Sequence, residues 1–397
     1  MNHAPEHHTP QGVTAAAGFR AVGITAGLKA SGTPDLALVV NDGPAKNAAA
    51  VFTTNRVAAA PIHWSRKVIA DGRAEAVILN SGGANACTGA EGHANTRATA
   101  EATAAALGVD AGDLLVCSTG LIGEQLPMDK ITAGIGTACA ALEAGSGPDG
   151  GADAATAIMT TDSVPKQAGF SCAGYAIGGM AKGAGMLAPG LATMLVVITT
   201  DAALEAPELD AALRAATRVS FDRADSDGCM STNDTVLLLA SGASGIRPDL
   251  AEFTDGLTGV CTDLAHQLIA DAEGAAHEIS IRSFNAASED DAEEVSRSVA
   301  RSNLFKTAIF GQDPNWGRVL SAVGTTAAAF DPDELDVAIN GVQVCRAGGI
   351  GEDRSLVDLT GRKVLVEIDL HAGEAEATIW TNDLTHDYVH ENSAYSS

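Results

Sequence analysis

The sequence predicts a fold in which strands and helices alternate, of the α/β or layered α+β class. Short apolar runs recur along the 397 residues without polar alternation, which is typical of strands covered on both faces. Alanine-rich helical stretches lie between these runs, and such interleaving favours sheets covered by helices. The strand candidates are 36–40, 76–80, 114–117, 194–198, 236–240 and 364–370. The helix candidates are 95–107, 203–219, 255–271 and 290–302.

The charge balance restricts the classes of partner. Asp and Glu number 50 against 24 Lys and Arg, which gives a formal net charge of −26. Nucleic acid and anionic membrane surfaces are bound through clustered basic residues, so the charge disfavours both. An anionic substrate would need a local cation in a protein this acidic. Hydrophobic residues make up 46% of the chain, which is ordinary for a globular protein and confines expected disorder to the ends.

Three further features bear on the compartment. The seven cysteines are scattered and form no CxxC pair, so neither a disulfide framework nor a zinc ribbon is expected, and a reducing cytoplasm fits best. The N-terminal MNHAPEHHTPQG lacks the blocks of a signal peptide, and its histidines are interpreted as a frayed tail rather than a metal site. Residues 183–200 carry no charge, but glycine and proline interrupt them, so we expect no membrane span.

A threonine stands where a glycine-rich segment becomes a strand. In AKGAGMLAPGLATMLVVITTD (181–201), Thr193 follows Ala192 and precedes the apolar run MLVVI. If the backbone is held bent, the Thr193 hydroxyl can attack the Ala192 carbonyl, giving an ester and then a free N-terminal threonine. Its α-amine, with a pKa of about 8, can take the hydroxyl proton, so one residue carries nucleophile and base. The alternative is a β-branched strand residue without a catalytic role.

Two more stretches contain residues that suit catalysis or substrate binding. In LLVCSTG a strand leads into a turn at Thr119 and Gly120, which offers a hydroxyl and a closely approachable backbone N–H, the donors that an oxyanion hole needs. A plain turn is the competing interpretation. Lys182 lies among glycines in a largely uncharged stretch, and a solvated lysine is the alternative to a substrate contact. A P-loop is excluded because GxxxxGK[ST] is absent.

These motifs together resemble one family. GGMAKGAGMLAP followed by ATML resembles the self-cleavage segment of ornithine acetyltransferases, the glutamate N-acetyltransferases of arginine biosynthesis. The resemblance runs in the same order from about residue 13 to the last residue. It is carried further by FRAVGITAGLK (19–29), NSGGANACTG (80–89), CSTGLIG (117–123), IMTTDSVPK (158–166), STNDTVLLLASG (231–242), DAEGA (271–275), FGQDPNWGRV (310–319) and ENSAYSS (391–397).

The resemblance implies an architecture and a covalent division of the chain. The expected fold is the layered αββα-type sandwich of self-processing ornithine acetyltransferases and aminopeptidases. Cleavage between Ala192 and Thr193 would give an alpha chain, 1–192, and a beta chain, 193–397. Two copies of each are expected to form a heterotetramer. The DPNWGR segment is a marker of the family, for which we expect a structural role.

The resemblance also implies a set of site residues. Thr193 is the expected nucleophile, and Thr119 and Gly120 are expected to stabilise the oxyanion. Glu273 is expected to hold the ornithine ammonium. The expected substrate-binding residues are Thr160, Lys182, Thr193, Glu273, Asn392 and Ser397. The chain departs from the family pattern at Gly83, where an asparagine is usual, and at Ala276 and His277, where Thr and Lys are more frequent.

The implied reaction is a ping-pong transfer of acetyl from N2-acetyl-L-ornithine to L-glutamate through an acetyl-threonine ester. One amide is exchanged for a similar one, so no metal and no cofactor is expected. Acetyl-CoA as a second co-substrate stays an open alternative. The rivals are a self-processing aminopeptidase or amidase, in which water replaces glutamate, and a noncatalytic binding protein that stays one chain.

Overall fold

The computed structural model describes residues 12–145, 149–172, 174–188 and 194–394. Within these ranges the chain forms fifteen strands and ten α-helices. The strands are β1 Phe19–Ile24, β2 Leu36–Asn41, β3 Asn47–Phe52, β4 Ala76–Ser81, β5 Leu114–Thr119, β6 Lys166–Cys172, β7 Tyr175–Lys182, β8 Leu195–Thr200, β9 Thr235–Ala240, β10 Glu278–Ala286, β11 Asp336–Ile339, β12 Val342–Arg346, β13 Gly349–Ile350, β14 Lys363–Asp369 and β15 Ala375–Asn382. The helices are α1 Ala60–Val68, α2 Gly89–Leu107, α3 Met128–Glu143, α4 Gly150–Ala157, α5 Ala206–Arg218, α6 Leu250–Ala270, α7 Glu289–Ala300, α8 Asn303–Phe310, α9 Trp316–Val323 and α10 His386–Ala394.

The strands form three sheets. The first has the order β1-β2-β4-β5, the second β3-β9-β8-β7-β6, and the third β13-β12-β11-β14-β10-β15. Most neighbours are antiparallel, but β4 and β5, β8 and β9, and β10 and β14 run parallel. All six strands and all four helices predicted from the sequence are found, with shifted ends; α2, for example, begins at Gly89 rather than at 95.

The first two sheets stack face to face between helices. Along β2, Leu36 and Leu38 contact the helix layer of α2 and α3, whereas Ala37 and Val39 lie in the core between the sheets. On β8, Leu195 and Val197 join that same core, and the alternate residues pack against α5 and α6. Because successive strand residues point to opposite faces, each strand is buried on both sides, which explains the apolar runs without alternation. The predicted αββα sandwich is confirmed.

The third sheet, with six strands, lies outside the sandwich and has its own core. Helix α7 packs on β10 and β15, and the side chains of Ile281, Val337 and Val366 contribute to this core together with Phe305 from α8. The burial of β10 alternates residue by residue over most of its length, so one face meets the helices and the other is partly solvated. Parallel pairing of β10 with β14 and antiparallel pairing with β15 connect the end of the chain to the region after α6.

Small side chains allow elements to approach closely. A Cβ built on Gly23 in β1 would lie 2.0 Å from the carbonyl oxygen of Asp153 in α4, so this helix rests directly on the strand backbone. Among the described helices, none combines the length and the apolar character needed to cross a bilayer.

Candidate active site

A cavity of about 440 Å³ opens at the ends of the strands of the sandwich. It lies where β4, β5 and β7 end and where the segment leading into β9 begins, a common place for ligands in layered α/β folds. Six predicted site residues line it, although they come from widely separated segments. These are Thr119, Gly120, Thr160, Lys182, Glu273 and Asn392. The predictions for Ala192, Thr193 and Ser397 lie outside the described residues.

The turn after β5 packs directly on the turn after β4. Thr119 is the last residue of β5 and is only 2% exposed, and its carbonyl oxygen accepts the N–H groups of Gly82 (2.9 Å) and Gly83 (3.0 Å). Gly120 has φ +125°, and a Cβ there would lie 2.6 Å from the Gly83 nitrogen. A side chain at position 120 would therefore force the two turns apart.

Two asparagines hold these turns in place. Asn233 donates from its amide to the carbonyl oxygens of Ala84 (2.6 Å) and Ser118 (2.8 Å), so it joins both turns to the segment before β9. Asn80 donates to the Gly83 carbonyl (3.0 Å) and accepts the Ser118 hydroxyl (2.6 Å). The sequence motifs contain both asparagines, but their spacing gives no sign that they fix the turn at Thr119 and Gly120.

Lys182 brings a buried cation to the cavity. It is the last residue of β7 and is 1% exposed, and its ammonium donates to the Thr119 hydroxyl oxygen at 3.3 Å. Burial lowers the pKa of Lys182, while the nearby Asp162 carboxylate opposes that shift. Because a lysine ammonium can only donate, the Thr119 oxygen accepts this bond and its O–H remains directed elsewhere. Thr119 and Lys182 are therefore coupled by a direct hydrogen bond.

Asp162 joins the loop that carries Thr160 to the backbone that follows Lys182. Its carboxylate accepts the Thr160 N–H (2.9 Å), the Gly183 N–H (2.6 Å) and the ammonium of Lys166 (2.7 Å). Burial alone would raise the pKa of Asp162, but the charges of Lys182 and Lys166 and these hydrogen bonds lower it to about 2. This carboxylate thus stays ionised and fixes both Thr160 and the backbone beside Lys182.

Glu273 approaches the glycine-rich segment from the region after α6. It is 9% exposed, and its N–H donates to the Ala184 carbonyl at 2.9 Å. A Cβ on Gly185 would lie 2.6 Å from the Glu273 carboxyl carbon, so only glycine leaves room for this carboxylate. Glu273 therefore presents an anion in a cavity that also contains the Lys182 cation.

Helix α10 brings Asn392 to the rim of the cavity, where its side chain is exposed. The helix is anchored by Tyr388, whose hydroxyl donates to Asp227 at 2.8 Å. Asp227 also accepts the N–H of Leu187 at 2.7 Å, which connects α10 to the segment that leads to Thr193. Burial raises the pKa of Asp227. Neither Tyr388 nor Asp227 was among the predicted site residues.

A buried carboxylate lies next to the start of β8. Asp234 is fully buried and accepts the N–H of Met194 (3.1 Å) and that of Ser231 (3.2 Å). Burial raises the pKa of Asp234 well above its ordinary value. Met194 directly follows Thr193 in the sequence, so Asp234 fixes the backbone on the carboxyl side of the expected nucleophile.

Two departures from the family pattern, Ala276 and His277, and the DPNWGR segment lie away from the residues that line the cavity. The third departure, Gly83, lies in the turn after β4 that contacts Thr119 and Gly120. His277 is 6% exposed and pairs through Nδ1 with Asp383 at 2.7 Å, away from the residues that line the cavity. Asn315 accepts the Arg318 N–H at 3.2 Å at the start of α9, and Arg318 donates to the Leu304 carbonyl at 2.6 Å. The second bond joins α8 to α9. In the described part of the chain, no group of three His, Cys, Asp or Glu side chains is arranged to hold a metal ion.

The sequence was compared with those of known proteins. A sequence model described as the ArgJ family matches residues 20–397. The chain belongs to the ArgJ family. It is 64% identical over 385 residues to the arginine biosynthesis bifunctional protein ArgJ of Streptomyces coelicolor, covering 97% of this chain and 100% of the relative. The corresponding protein of Streptomyces avermitilis is 63% identical with the same coverage.

A solved structure of a relative also matches. It is an ornithine acetyltransferase from Mycobacterium tuberculosis complexed with ornithine, 52% identical to this chain, with a TM-score of 0.41. The match covers 47% of this chain and 96% of that chain. The family predicted from the motifs is confirmed, and with it the predicted enzyme class, an acetyltransferase.

Proposed function

We propose that this chain transfers the acetyl group of N2-acetyl-L-ornithine to L-glutamate. The observation that supports this most is the meeting of Thr119, Gly120, Lys182 and Glu273 in one cavity, at the end of the segment that leads to Thr193. A buried cation suits the α-carboxylate that both substrates carry, and an opposing carboxylate suits the ornithine ammonium. The predicted oxyanion and substrate groups thus lie within one small volume.

The chain first cleaves itself. The Thr193 hydroxyl attacks the Ala192 carbonyl, the peptide bond becomes an ester, and water hydrolyses the ester to free the Thr193 α-amine. The products are residues 1–192 and 193–397, which stay associated and form a tetramer with two of each. Asp234 supports this step because it holds the Met194 N–H and so limits how the backbone beside Thr193 can turn.

The acetyl transfer then takes two half-reactions. The Thr193 oxygen attacks the acetyl carbonyl, its proton passes to the α-amine, and the resulting oxyanion accepts hydrogen bonds from the Thr119 hydroxyl and the Gly120 N–H. Collapse breaks the C–N bond, and ornithine leaves with the proton that the α-amine returns. The amine of glutamate next attacks the acetyl-threonine ester and gives a proton to the Thr193 α-amine, and the same donors stabilise the second oxyanion. Collapse breaks the C–O bond, and the Thr193 oxygen regains its proton from the α-amine as N-acetylglutamate leaves.

The Lys182 ammonium prepares the oxyanion hole. Because it donates to the Thr119 oxygen, it leaves the Thr119 proton available for the oxyanion. Its positive charge also stabilises the negative charge that develops on the oxyanion. Lys182 is thus expected to serve both the substrate carboxylate and the orientation of Thr119.

The proposal extends to cofactors, cellular location and a second acetyl donor. The reaction exchanges one amide for another, so it needs neither metal nor bound cofactor. The seven cysteines are free thiols, which suits a cytoplasmic location. Because the relatives are named bifunctional, acetyl-CoA is a candidate second acetyl donor. An assay of acetyl-CoA with glutamate tests it directly.

The test combines mass spectrometry with an exchange assay. Freshly purified protein is expected to give two polypeptides that begin at residues 1 and 193, and acetylornithine alone is expected to add one acetyl group to the second. Thr193→Ala is expected to remain one chain without exchange, whereas Thr193→Ser keeps the hydroxyl and some cleavage. Full-length protein that still exchanges acetyl would refute the proposal. Ornithine release that is equally fast without glutamate would instead favour the amidase.

A further inference from the structure

The two substrates of the proposed reaction differ in the charge of their side chains. Both carry an α-carboxylate, but the donor side chain ends in an ammonium and the acceptor side chain in a carboxylate. Glu273 suits the first and repels the second. Since both substrates must bring their nitrogen to the same Thr193, the cavity needs a second cation that meets the acceptor side chain.

Lys29 is a cation in this cavity to which the mechanism above gives no role. It lies in the loop between β1 and β2, and its side chain lines the cavity together with Thr160 and Glu273. Its ammonium donates to the carbonyl oxygens of Met159 (2.6 Å) and Pro34 (2.9 Å). Both partners are uncharged, and a lysine ammonium has three N–H donors, so one donor remains for a ligand.

The loop that carries Lys29 is held rigidly. Asp35 is fully buried, and its carboxylate accepts the backbone N–H groups of Ala26 (2.6 Å), Leu28 (2.5 Å) and Lys29 itself (3.0 Å). A Cβ on Gly82 would lie 3.4 Å from Cγ of Lys29, so the lysine stem packs against the turn that contacts Thr119. Lys29 is thus positioned between the Thr160 loop and the turn at Thr119 and Gly120.

The electrostatic setting favours an incoming anion. Burial lowers the pKa of Lys29, and the neighbouring Lys182 acts in the same direction, while Asp35 and Asp162 oppose both. A carboxylate that binds beside Lys29 would offset the desolvation of its ammonium. The same site would repel the ammonium of ornithine, so it would discriminate between the two side chains.

We propose that Lys29 binds the side-chain carboxylate of the acceptor glutamate and thereby determines acceptor specificity in the second half-reaction. This inference rests on the proposed function, since it presupposes an acetyl enzyme that glutamate relieves. Lys182 and Thr160 would hold the α-carboxylate common to both substrates. Glu273 would then bind the ornithine side chain, and Lys29 would bind the glutamate side chain.

The test compares glutamate with glutamine, its uncharged isostere, as acceptor. Lys29→Gln removes the charge but can still donate to the Met159 or Pro34 carbonyl, and Lys29→Met removes both functions. Loss of a charge-assisted hydrogen bond is expected to raise KM for glutamate about 10- to 100-fold and to reduce the preference for glutamate over glutamine by a similar factor. KM for acetylornithine and the burst of ornithine release are expected to change less than about threefold.

Lys130→Met is the matched control. Lys130 donates to the Gly27 carbonyl of the same loop at 2.6 Å, but its side chain is exposed and does not line the cavity. This variant is expected to keep the acceptor preference of the wild type. Complete self-cleavage serves as the folding check for all three variants. If Lys29→Gln forms the acetyl enzyme and prefers glutamate as strongly as the wild type, the inference is wrong while the proposed function stands; if no acetyl enzyme forms in the wild type, the proposed function itself fails.

Discussion

At the scale of single residues, the turn at Thr119 and Gly120 depends on the absence of a side chain at position 120. Gly120 and Gly123 lie three residues apart and both have positive φ, +125° and +86°. A Cβ at Gly120 would meet the backbone of Gly82 and Gly83, whereas a Cβ at Gly123 would meet nothing within 4 Å. The two glycines therefore separate the cost of backbone strain from the cost of a collision inside the site.

We expect Gly120→Ala to lower kcat about 100-fold, because the collision displaces a donor from the oxyanion. Gly123→Ala carries comparable strain and is expected to cost about 1 kcal/mol of stability while leaving kcat nearly unchanged. Steady-state kinetics and thermal unfolding of both variants measure these effects. Equal losses of kcat in the two variants would mean that the collision at position 120 adds nothing to the backbone strain and that Gly120 has no special place in the site.

The residues that sequence motifs could not reveal act through contacts between distant segments. Thr119, Lys182 and Glu273 could be named because the family resemblance carries them. Asn233, by contrast, acts on Ser118 and Ala84, which are 115 and 149 positions away. No spacing along the chain encodes such a contact, because it exists only once β4, β5 and β9 have assembled.

At the scale of elements, the sandwich was more predictable than the third sheet. Strands such as β9, with every residue buried, give uninterrupted apolar runs. Strand β10, EISIRSFNA, is mostly buried on one face only and contains Arg and Asn, and β3, NAAAVF, resembles the alanine-rich composition of helices. Two adjacent glycines in β7 weaken its strand signal further, and its pairing with β6 and β8 overrides that weakness.

Asp162 connects the loop before β6 to the end of β7, and its charge gives this junction a dependence on pH. Its pKa is lowered from an ordinary 3.8 to about 2, so the folded state binds its proton less readily than the unfolded chain. The corresponding stability, about 2 kcal/mol, is present above about pH 4 and is lost as pH falls toward 2. Asp162→Asn is expected to be less stable at pH 6, because Lys166 and Lys182 lose a buried counter-ion.

Urea unfolding of the wild type and Asp162→Asn between pH 6 and pH 2 measures the difference. We expect the stability gap to be largest at pH 6 and to narrow by about 2 kcal/mol over the acid range. Asp129→Asn, at an exposed position on α3, serves as the control and should show no comparable narrowing. A gap that stays constant with pH would mean that the Asp162 charge does not stabilise the junction.

At the scale of the whole molecule, the proposed cleavage would divide the strands of one sheet between the two products rather than separate two domains. In the order β3-β9-β8-β7-β6, strands β8 and β9 come from residues after position 193 and the other three from residues before it. Six residue pairs join β7 to β8, from Ile177 with Thr200 to Lys182 with Leu195, and six more join β3 to β9. The two products would therefore share a continuous sheet and the core on both of its faces.

This interleaving predicts how the cleaved protein behaves. Separating the products would expose both edges of the β8–β9 pair together with the apolar side chains on its faces, so we expect them to elute together in native buffer and to part only when they unfold. Unfolding of the cleaved protein then releases separate chains, and its midpoint in urea should rise with protein concentration more steeply than that of uncleaved Thr193→Ala. Size-exclusion chromatography with intact-mass detection, followed by urea titrations at several concentrations, measures both properties. Products that elute apart without denaturant would contradict the shared sheet, and identical concentration dependence in the two proteins would mean that the cut leaves the unfolding reaction unchanged.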